Sequence, residues 1–587
     1  MKPERYHACS LWARISLPSR SGSDHEQIPT CPDGLHAVAD IATDRWRVVV
    51  RGSGLSTARC ERTGVQVIVA GRHRNRHAGD LAAWLLASYQ ADARGFASDL
   101  NGSFLALILD PGLPHLLAVT DPLGSRRLFH RLVGGATILG TSLRFMETTT
   151  APLDEAAIGS YLATGSFMAG RTPHIGITAM PRASVFEVSP AGLSAREYWR
   201  FPPTGPQITE PAEAEERIEQ IVVRSVSDAL AGGLRPAVSL SGGLDSTCLL
   251  GVLRNRLGVG PDLFTYCHGE PAEDDDAAAS TRTARTIGLP HRTVAAYDGN
   301  LIQHIERNAA WGEGWACHCS EIDAWWTLAA EWAEQPAHIV FTGDQSFINW
   351  WRPLNRREDL LLDASLADFG ALHWAAGLFG GDLHRRLRGG CAAIFSELLA
   401  GLDGFDTLME AGEYLYLDQR MPNTYMAWRD RFVRRAAESC APLVDRELYE
   451  VTSRLAPELK MGRRVFASVA ARFWPEGMPE RAAGGAYAPD WHTEVVQNAE
   501  GLTAWVSATP SRLDEVIPRR VALGLVRYIQ SNGKPRTDAE GWIPRIARGS
   551  HEWGTRLRGL GPFHRQLVYP HTLLLRLLTL RAALRAD

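Results

Sequence analysis

A predicted strand over residues 237–240 runs into Ser241-Gly242-Gly243 and from there directly into a helix. No other stretch constrains the fold as much. Two consecutive glycines let the backbone bend tightly and let an anion come close to it. The helix that follows turns unpaired N–H groups and its positive dipole end toward the bend. Ser239, Ser241 and Ser246 add hydroxyl donors, while Asp245 suits a magnesium ion held between phosphates better than a phosphate itself. The lysine of the Gly-x4-Gly-Lys-Ser/Thr loop is missing, so this is a different phosphate loop. A lone pair of glycines would suit an empty strand-to-helix turn equally well. The whole string Ser-x-Ser-Gly-Gly-x-Asp-Ser favours a ligand.

Strands and helices alternate around this loop. Residues 263–267 and 338–342 are apolar enough for buried strands, and 211–230 form an amphipathic helix with Ile218, Ile221, Val222 and Val226 on one face. That alternation predicts a doubly wound parallel sheet with helices on both faces. The first two hundred residues differ. Short runs at 46–50, 65–70, 104–109 and 116–120 predict layered antiparallel strands, with helices at 79–89 and 155–164 and a turn at Asp121-Pro122-Leu123-Gly124. Pro202-Pro203-Thr204-Gly205-Pro206 reads as a linker, dividing the chain into 1–203 and 204–587. From about residue 395 the pattern is almost entirely helical. Near its end, 572–584 carries Arg576 and Arg581 at helical spacing and reads as an amphipathic helix packed on the body, not a membrane span.

Charge narrows the function. The 587 residues hold 62 Lys and Arg against 66 Asp and Glu, a net charge of −4, which offers no basic field for nucleic acid or anionic membrane. Nine cysteines are too few for a disulfide scaffold and fit a reducing cytosol. The opening residues lack a signal peptide's apolar stretch, so a cytoplasmic location is expected.

The loop string resembles that of the N-type ATP pyrophosphatases, and its surroundings resemble the asparagine synthetase family. Asp121-Pro122-Leu123-Gly124 with Arg127-Leu128, then Tyr161-Leu162, Gly165, Gly176-Ile177, Met180-Pro181 and Tyr198-Trp199, follow the family's order in the first half. Pro442-Leu443-Val444-Asp445, Glu438 four residues before it, and Gly462-Arg463 follow it in the second. The resemblance implies an α/β protein: an Ntn-hydrolase-like antiparallel sandwich, then a parallel-sheet ATP-pyrophosphatase domain with a helical C-terminal part. It implies ATP and Mg²⁺, with nucleotide contacts at Ser239, Leu240, Ser241, Gly242, Gly243, Asp245, Ser246, Tyr266, Thr342 and Gly343. Asp245 and Asp344 are the expected metal ligands. Asp344, Glu438 and Arg463 are the expected catalytic residues, the two carboxylates as bases and the guanidinium as a phosphate clamp.

Departures from the family sharpen the expectation. Where the family's glutaminase exposes a cysteine nucleophile, residue 2 is Lys, and Cys9 has no evident partner, so the first domain reads as a degenerate glutaminase. Thr342-Gly343-Asp344-Gln345-Ser346-Phe347 replaces the family's Thr/Ser-Gly-Glu-Gly-Ala-Asp, placing Phe347 where an acidic residue would stand. Asp344 could equally be a turn cap after a strand. Ala483, after Arg481, replaces a pyrophosphate-binding lysine, for which Arg481, Arg463 or Arg464 could substitute unless they are merely solvated charges. The acidic run at 270–276 either brings Asp276 to the substrate or is a solvated loop. Cys317-His318-Cys319 lacks the second pair of a zinc site. Trp311, Trp315, Trp325, Trp326 and Trp332 suit a core, whereas Trp350 and Trp351 could line a peptide groove.

Without a glutaminase, an amine already on the substrate is the economical acceptor. Among family members this pattern is most similar to the lasso peptide macrolactam synthetases. That resemblance implies a precursor peptide as substrate, with a leader-binding recognition protein and a leader peptidase as partners. A β-lactam synthetase, an ammonia-dependent asparagine synthetase and a non-catalytic scaffold are the other readings.

Overall fold

The computed structural model describes residues 10–17, 35–43, 46–73, 80–146, 148–202, 205–269, 275–316, 318–344, 357, 360–361, 369–479, 489–532 and 568–585. Up to residue 197 the chain builds two six-stranded antiparallel sheets. One runs β10 (Ile177–Ala179), β8 (Phe129–Val133), β9 (Ala136–Gly140), β1 (Ser10–Ser16), β3 (Arg47–Ser53) and β2 (His36–Ala42). The other runs β12 (Gly192–Glu197), β11 (Ser184–Ser189), β7 (Leu116–Thr120), β6 (Gly102–Leu109), β5 (Gln66–His73) and β4 (Ser56–Arg59).

The side-chain alternation of a strand makes these sheets a sandwich. Leu11, Ala13 and Ile15 of β1 meet Leu105, Leu107 and Leu109 of β6 in one core. The alternate residues of β6, Phe104, Ala106 and Ile108, face the other way and pack with α1 (Leu81–Ala91). Trp12, on the opposite face of β1, joins a core with α2 (Glu155–Thr164), which covers the whole span expected for it.

The second half holds a parallel sheet in the order β15 (His291–Ala295), β14 (Asp262–Cys267), β13 (Arg235–Ser239), β16 (His338–Phe341) and β17 (Glu438–Cys440). Val238, Leu263, Ile339 and Phe341 pack on one face against α3 (Pro211–Leu230) and α4 (Leu244–Gly251). Ala237, Phe264 and Val340 pack on the other against α6 (Leu301–Gly312) and α7 (Ile322–Trp332), while α5 (Asp276–Ile287) links β14 to β15. The chain moves outward from β13 to β15, then returns to β16 and β17. Its direction therefore reverses between β13 and β16, the place where open parallel sheets bind ligands beyond their carboxyl ends.

Two expectations change. The helical C-terminal region contributes β17 to the sheet. The C-terminal helix, Pro570–Ala583, is buried nearly all round instead of on one face. Its arginines do not mark a solvated side. Arg581 is 1% exposed, pairing with Asp514 and donating to the Thr509 carbonyl at 2.6 Å. Arg576 donates to the carbonyls of Leu162 and Ala163 at the end of α2, where a cation complements the helix dipole. Among the described residues no helix is long and apolar enough to cross a membrane.

Candidate active site

The loop between β13 and α4 is held from below and open at its rim. The Leu240 carbonyl accepts hydrogen bonds from the hydroxyls of Thr265 (2.5 Å) and Ser280 (3.0 Å), which fixes the end of β13. Leu240 itself is buried in the core, so only its backbone faces the loop. Gly242 takes φ +63°, a conformation suited to glycine, and Gly243 begins α4 with no side-chain cap. The Ser246 hydroxyl accepts from the Ser241 N–H at 3.1 Å and lies 3.1 Å from the Ser241 hydroxyl, bracing the bend. An uncapped helix start on a glycine bend is a cradle for an anion.

Two further segments close on this loop. Gly343, after β16, lies so near that an added Cβ would stand 3.0 Å from Cβ of Asp245 and 3.1 Å from the Ser246 nitrogen. Arg463, in the left-handed region at φ 57°, pairs with Asp245 through Nη2 and stacks over Phe466. The expected loop residues, Gly343 and Arg463 thus come together around Asp245. A side chain at residue 343 would press on Asp245 and on the loop backbone at Ser246, which would have to give way. Gly343→Val is expected to lower ATP–pyrophosphate exchange about a hundredfold by displacing the loop, measured beside a thermal melt that shifts little.

Asp344 stands at the same turn, but its carboxylate is committed. Arg429 donates to it from Nε (2.7 Å) and Nη2 (3.0 Å), and the Thr342 hydroxyl donates at 2.7 Å. Its side chain is 6% exposed. Burial alone would push the Arg429 pKa down; the charge of Asp344 outweighs this and holds the guanidinium protonated. As placed, Asp344 makes a bidentate ion pair with Arg429. Among the described residues no group of three or more His, Cys, Asp or Glu side chains is arranged to hold a metal ion.

Glu438, expected as a base, sits in the seam between the two halves. Arg126, from the turn before β8, reaches it at 3.0 and 3.1 Å, and Arg434 at 3.2 Å. Burial would raise its pKa, but the charges of Arg126, Arg434 and Arg72 prevail and hold it at about 2. This setting suits a permanent charge better than proton transfer near neutrality. The seam also joins Asn101 to Asp445, the helix cap in the Pro442–Asp445 motif, at 3.2 Å.

Tyr266 lies under the loop with its hydroxyl toward that of Ser239, its pKa raised by burial and by the nearby charge of Glu321. Glu321 and Arg429 were not singled out by sequence. Their importance comes from placement beside Tyr266 and Asp344, which are remote in the chain. Of the other candidates, Asp275 caps α5 and Asp276 is half-buried beside it, its pKa raised by burial and by Asp275. Arg464 is exposed. His318 contacts His304 at 3.2 Å, and Trp311, Trp315, Trp325 and Trp332 are core residues. Lys2, Cys9, Cys317, Phe347, Trp350, Trp351, Arg481 and Ala483 lie outside the described residues.

Residues 217–346 match the family model described as Asparagine synthase. The match starts within α3 and includes both the phosphate loop and the turn at Asp344. This stretch is therefore similar to an asparagine synthase domain. Over 248 residues the chain is 23% identical to the Amidase chyE of Penicillium rubens, covering 39% of this chain. The chain spans 36% of that relative's length. Two solved structures align over 60% of this chain at 9% identity, each with a TM-score of 0.20. One is the glutamine phosphoribosylpyrophosphate amidotransferase from B. subtilis complexed with ADP and GMP, covered over 78% of its length. The other, described as the allosteric regulatory enzyme of purine biosynthesis, is covered over 77%.

Proposed function

We propose that the protein is an ATP-dependent synthetase that adenylates an Asp or Glu side chain of a peptide and closes a macrolactam with the peptide's N-terminal amine, releasing AMP and pyrophosphate. The observation that carries the ATP part is the uncapped Gly242–Gly243 helix start at the switch point of the parallel sheet, with Asp245 packed against Gly343. The peptide part rests on the family resemblance and on the experiment below.

The loop N–H groups, the Ser241 hydroxyl and Arg463 fit a chain of phosphates. Asp245, at the loop's rim, would hold Mg²⁺, which neutralises phosphate charge when bound. In the first step a substrate carboxylate oxygen bonds to the α-phosphorus and the bond to pyrophosphate breaks. In the second, the amine nitrogen bonds to the acyl carbon, the bond to AMP breaks, and the amine gives up a proton. Loop N–H groups fixed before the reaction stabilise charge growing on phosphate without reorganising. Both expected bases are ion-paired, Asp344 with Arg429 beside the loop and Glu438 with Arg126 and Arg434 in the seam, so either would take the amine's proton only by giving up its guanidinium. Holding donor and acceptor in one molecule supplies a high effective concentration. Mature substrate would reach the enzyme through a leader peptidase and a leader-binding recognition protein.

Incubation of the protein with Mg²⁺-ATP, a precursor peptide and its leader peptidase is expected to give a product lighter by one water, detected by mass spectrometry. A cognate precursor that is cut but never loses water, with no AMP formed, overturns the proposal.

A further inference from the structure

Arg429 belongs to a long helix built in three parts, Leu408–Leu415, Tyr416–Met426 and Ala427–Arg431. The middle part is a π-helix, bonded i→i+5, so its turn is longer than the 3.6 residues of an α-helix. Residues four and five apart therefore line one face. Tyr416, Arg420, Tyr425 and Arg429 follow at steps of four, five and four. All are partly exposed, while Leu417, Met421, Thr424 and Met426 between them are buried. Contacts join them into a ladder. The rings of Tyr416 and Tyr425 lie 6.5 Å apart, Arg420 Cζ lies 5.3 Å from the centre of the Tyr425 ring, and Arg429 reaches Asp344 at 2.7 Å. Both ends are tied to the phosphate site. Glu413, three residues before Tyr416, accepts from Lys460 at 2.8 and 3.0 Å and lines a cavity with Lys460 and Arg463, the partner of Asp245. The ladder thus runs between the two segments that close on the loop.

Charge marks what the ladder takes. Lys460 has Glu413, Arg463 has Asp245, Arg182 has Asp418 and Arg429 has Asp344. Among the described residues Arg420 has no such anion. Its Nε is buried without a hydrogen-bond partner, and its guanidinium lies over the Tyr425 ring. A cation so placed has shed part of its hydration without gaining a counter-charge. A guanidinium over a ring keeps its in-plane N–H donors, which match a carboxylate with two parallel hydrogen bonds. We infer that this face is the docking track for the peptide substrate, with Arg420 receiving a carboxylate other than the one being activated and the rings of Tyr416 and Tyr425 packing on adjoining side chains. Phosphate has its own place at the loop N–H groups and Arg463, an ammonium would be repelled by Arg420, and a peptide carries at least its C-terminal carboxylate. The inference rests on the peptide synthetase reading above and adds where the body of the substrate lies.

The test uses the mature peptide released by the leader peptidase, prepared with every carboxyl group except the reacting one either free or amidated. Binding of each form to the full chain is measured by calorimetry, beside its KM in ATP–pyrophosphate exchange. In the wild type the free form is expected to bind about tenfold more tightly, the worth of one charge-assisted hydrogen bond. Arg420→Gln should bring that ratio to about one, and Arg420→Lys, which keeps the charge but not the fork, should restore part of it. Tyr416→Leu should weaken both forms severalfold and leave the ratio in place. A ratio near one in the wild type, a ratio that survives Arg420→Gln, or failure of both forms to bind overturns the track. Binding with the expected ratios but without exchange supports the track and counts against the synthetase reading instead. Should Arg420→Gln fail to fold, Arg420→Lys decides: a lowered ratio supports the track and an unchanged one overturns it.

Discussion

Asp245→Asn is expected to reduce ATP–pyrophosphate exchange by about 10²- to 10³-fold while leaving the fold in place. The magnitude is that of losing one preorganised electrostatic partner of a developing phosphate charge. Asn keeps the size of Asp, so Gly343 still packs against it, and only the charge disappears. Two consequences follow from that single change. The position that would hold magnesium loses its anionic ligand, and Arg463 loses its counter-charge. These predict opposite shifts in nucleotide affinity: weaker for magnesium-bound ATP, less weak for ATP alone, because a freed guanidinium attracts phosphate. Exchange measured at several magnesium concentrations, with ATP binding measured with and without EDTA, separates them. Full exchange activity in Asp245→Asn would mean that the nucleotide does not use this loop.

The same locality explains how much could be read from sequence. Helices 155–164 and 211–230 and strand 116–120 lie where the pattern puts them: the first is bounded by Asp154 and Gly165, the second opens on Pro211 and buries one periodic set of apolar residues, and the strand, buried throughout, stops at Asp121. The phosphate loop was legible for the same reason: its chemistry sits within eight consecutive residues. Where the reading fell short, the deciding partner was remote. Arg576 and Arg581 have helical spacing, and sequence alone gives them to solvent. Instead Asp514 accepts Arg581, which is buried, and the carbonyls at the end of α2 accept Arg576, which is partly so. Asp344 was legible as a candidate base, but its commitment to Arg429, 85 residues later, was not. Glu321 carried no motif. Only its burial beside Arg429 and Tyr266 sets it apart, and that is a property of the folded chain.

The two halves also explain one another. The second half leans on the first across the seam, which provides Arg126 for Glu438, Asn101 for Asp445, and the Ser125 carbonyl and Ser103 hydroxyl for Arg434. Glu438 belongs to β17, whose Cys440 carbonyl accepts the Thr342 N–H at 2.9 Å. A change in the seam is thus one strand away from the turn that carries Gly343 and Asp344.

Glu438→Gln should expose that dependence. The side chains of Arg126 and Arg434 are each 3% exposed. Removing the carboxylate leaves two buried guanidiniums facing each other without their shared anion. The folded-state pKa of about 2 lies below the ordinary glutamate value of 4.5. At about 1.4 kcal/mol per unit, the charged carboxylate stabilises the native state by about 3 kcal/mol at neutral pH. Because the folded value is the lower one, this contribution is complete above the unfolded value and fades as pH falls from about 4.5 toward 2. Urea unfolding followed by tryptophan fluorescence should therefore show Glu438→Gln less stable than wild type by about 3 kcal/mol at pH 7, with the gap reduced to roughly half near pH 3. The variant's seam should loosen first, seen as faster hydrogen exchange at the Thr342 amide than at amides in β6, and ATP–pyrophosphate exchange should fall with it. Equal stabilities at pH 7, or a gap that does not narrow on acidification, would show that Glu438 is not the charge on which the seam depends.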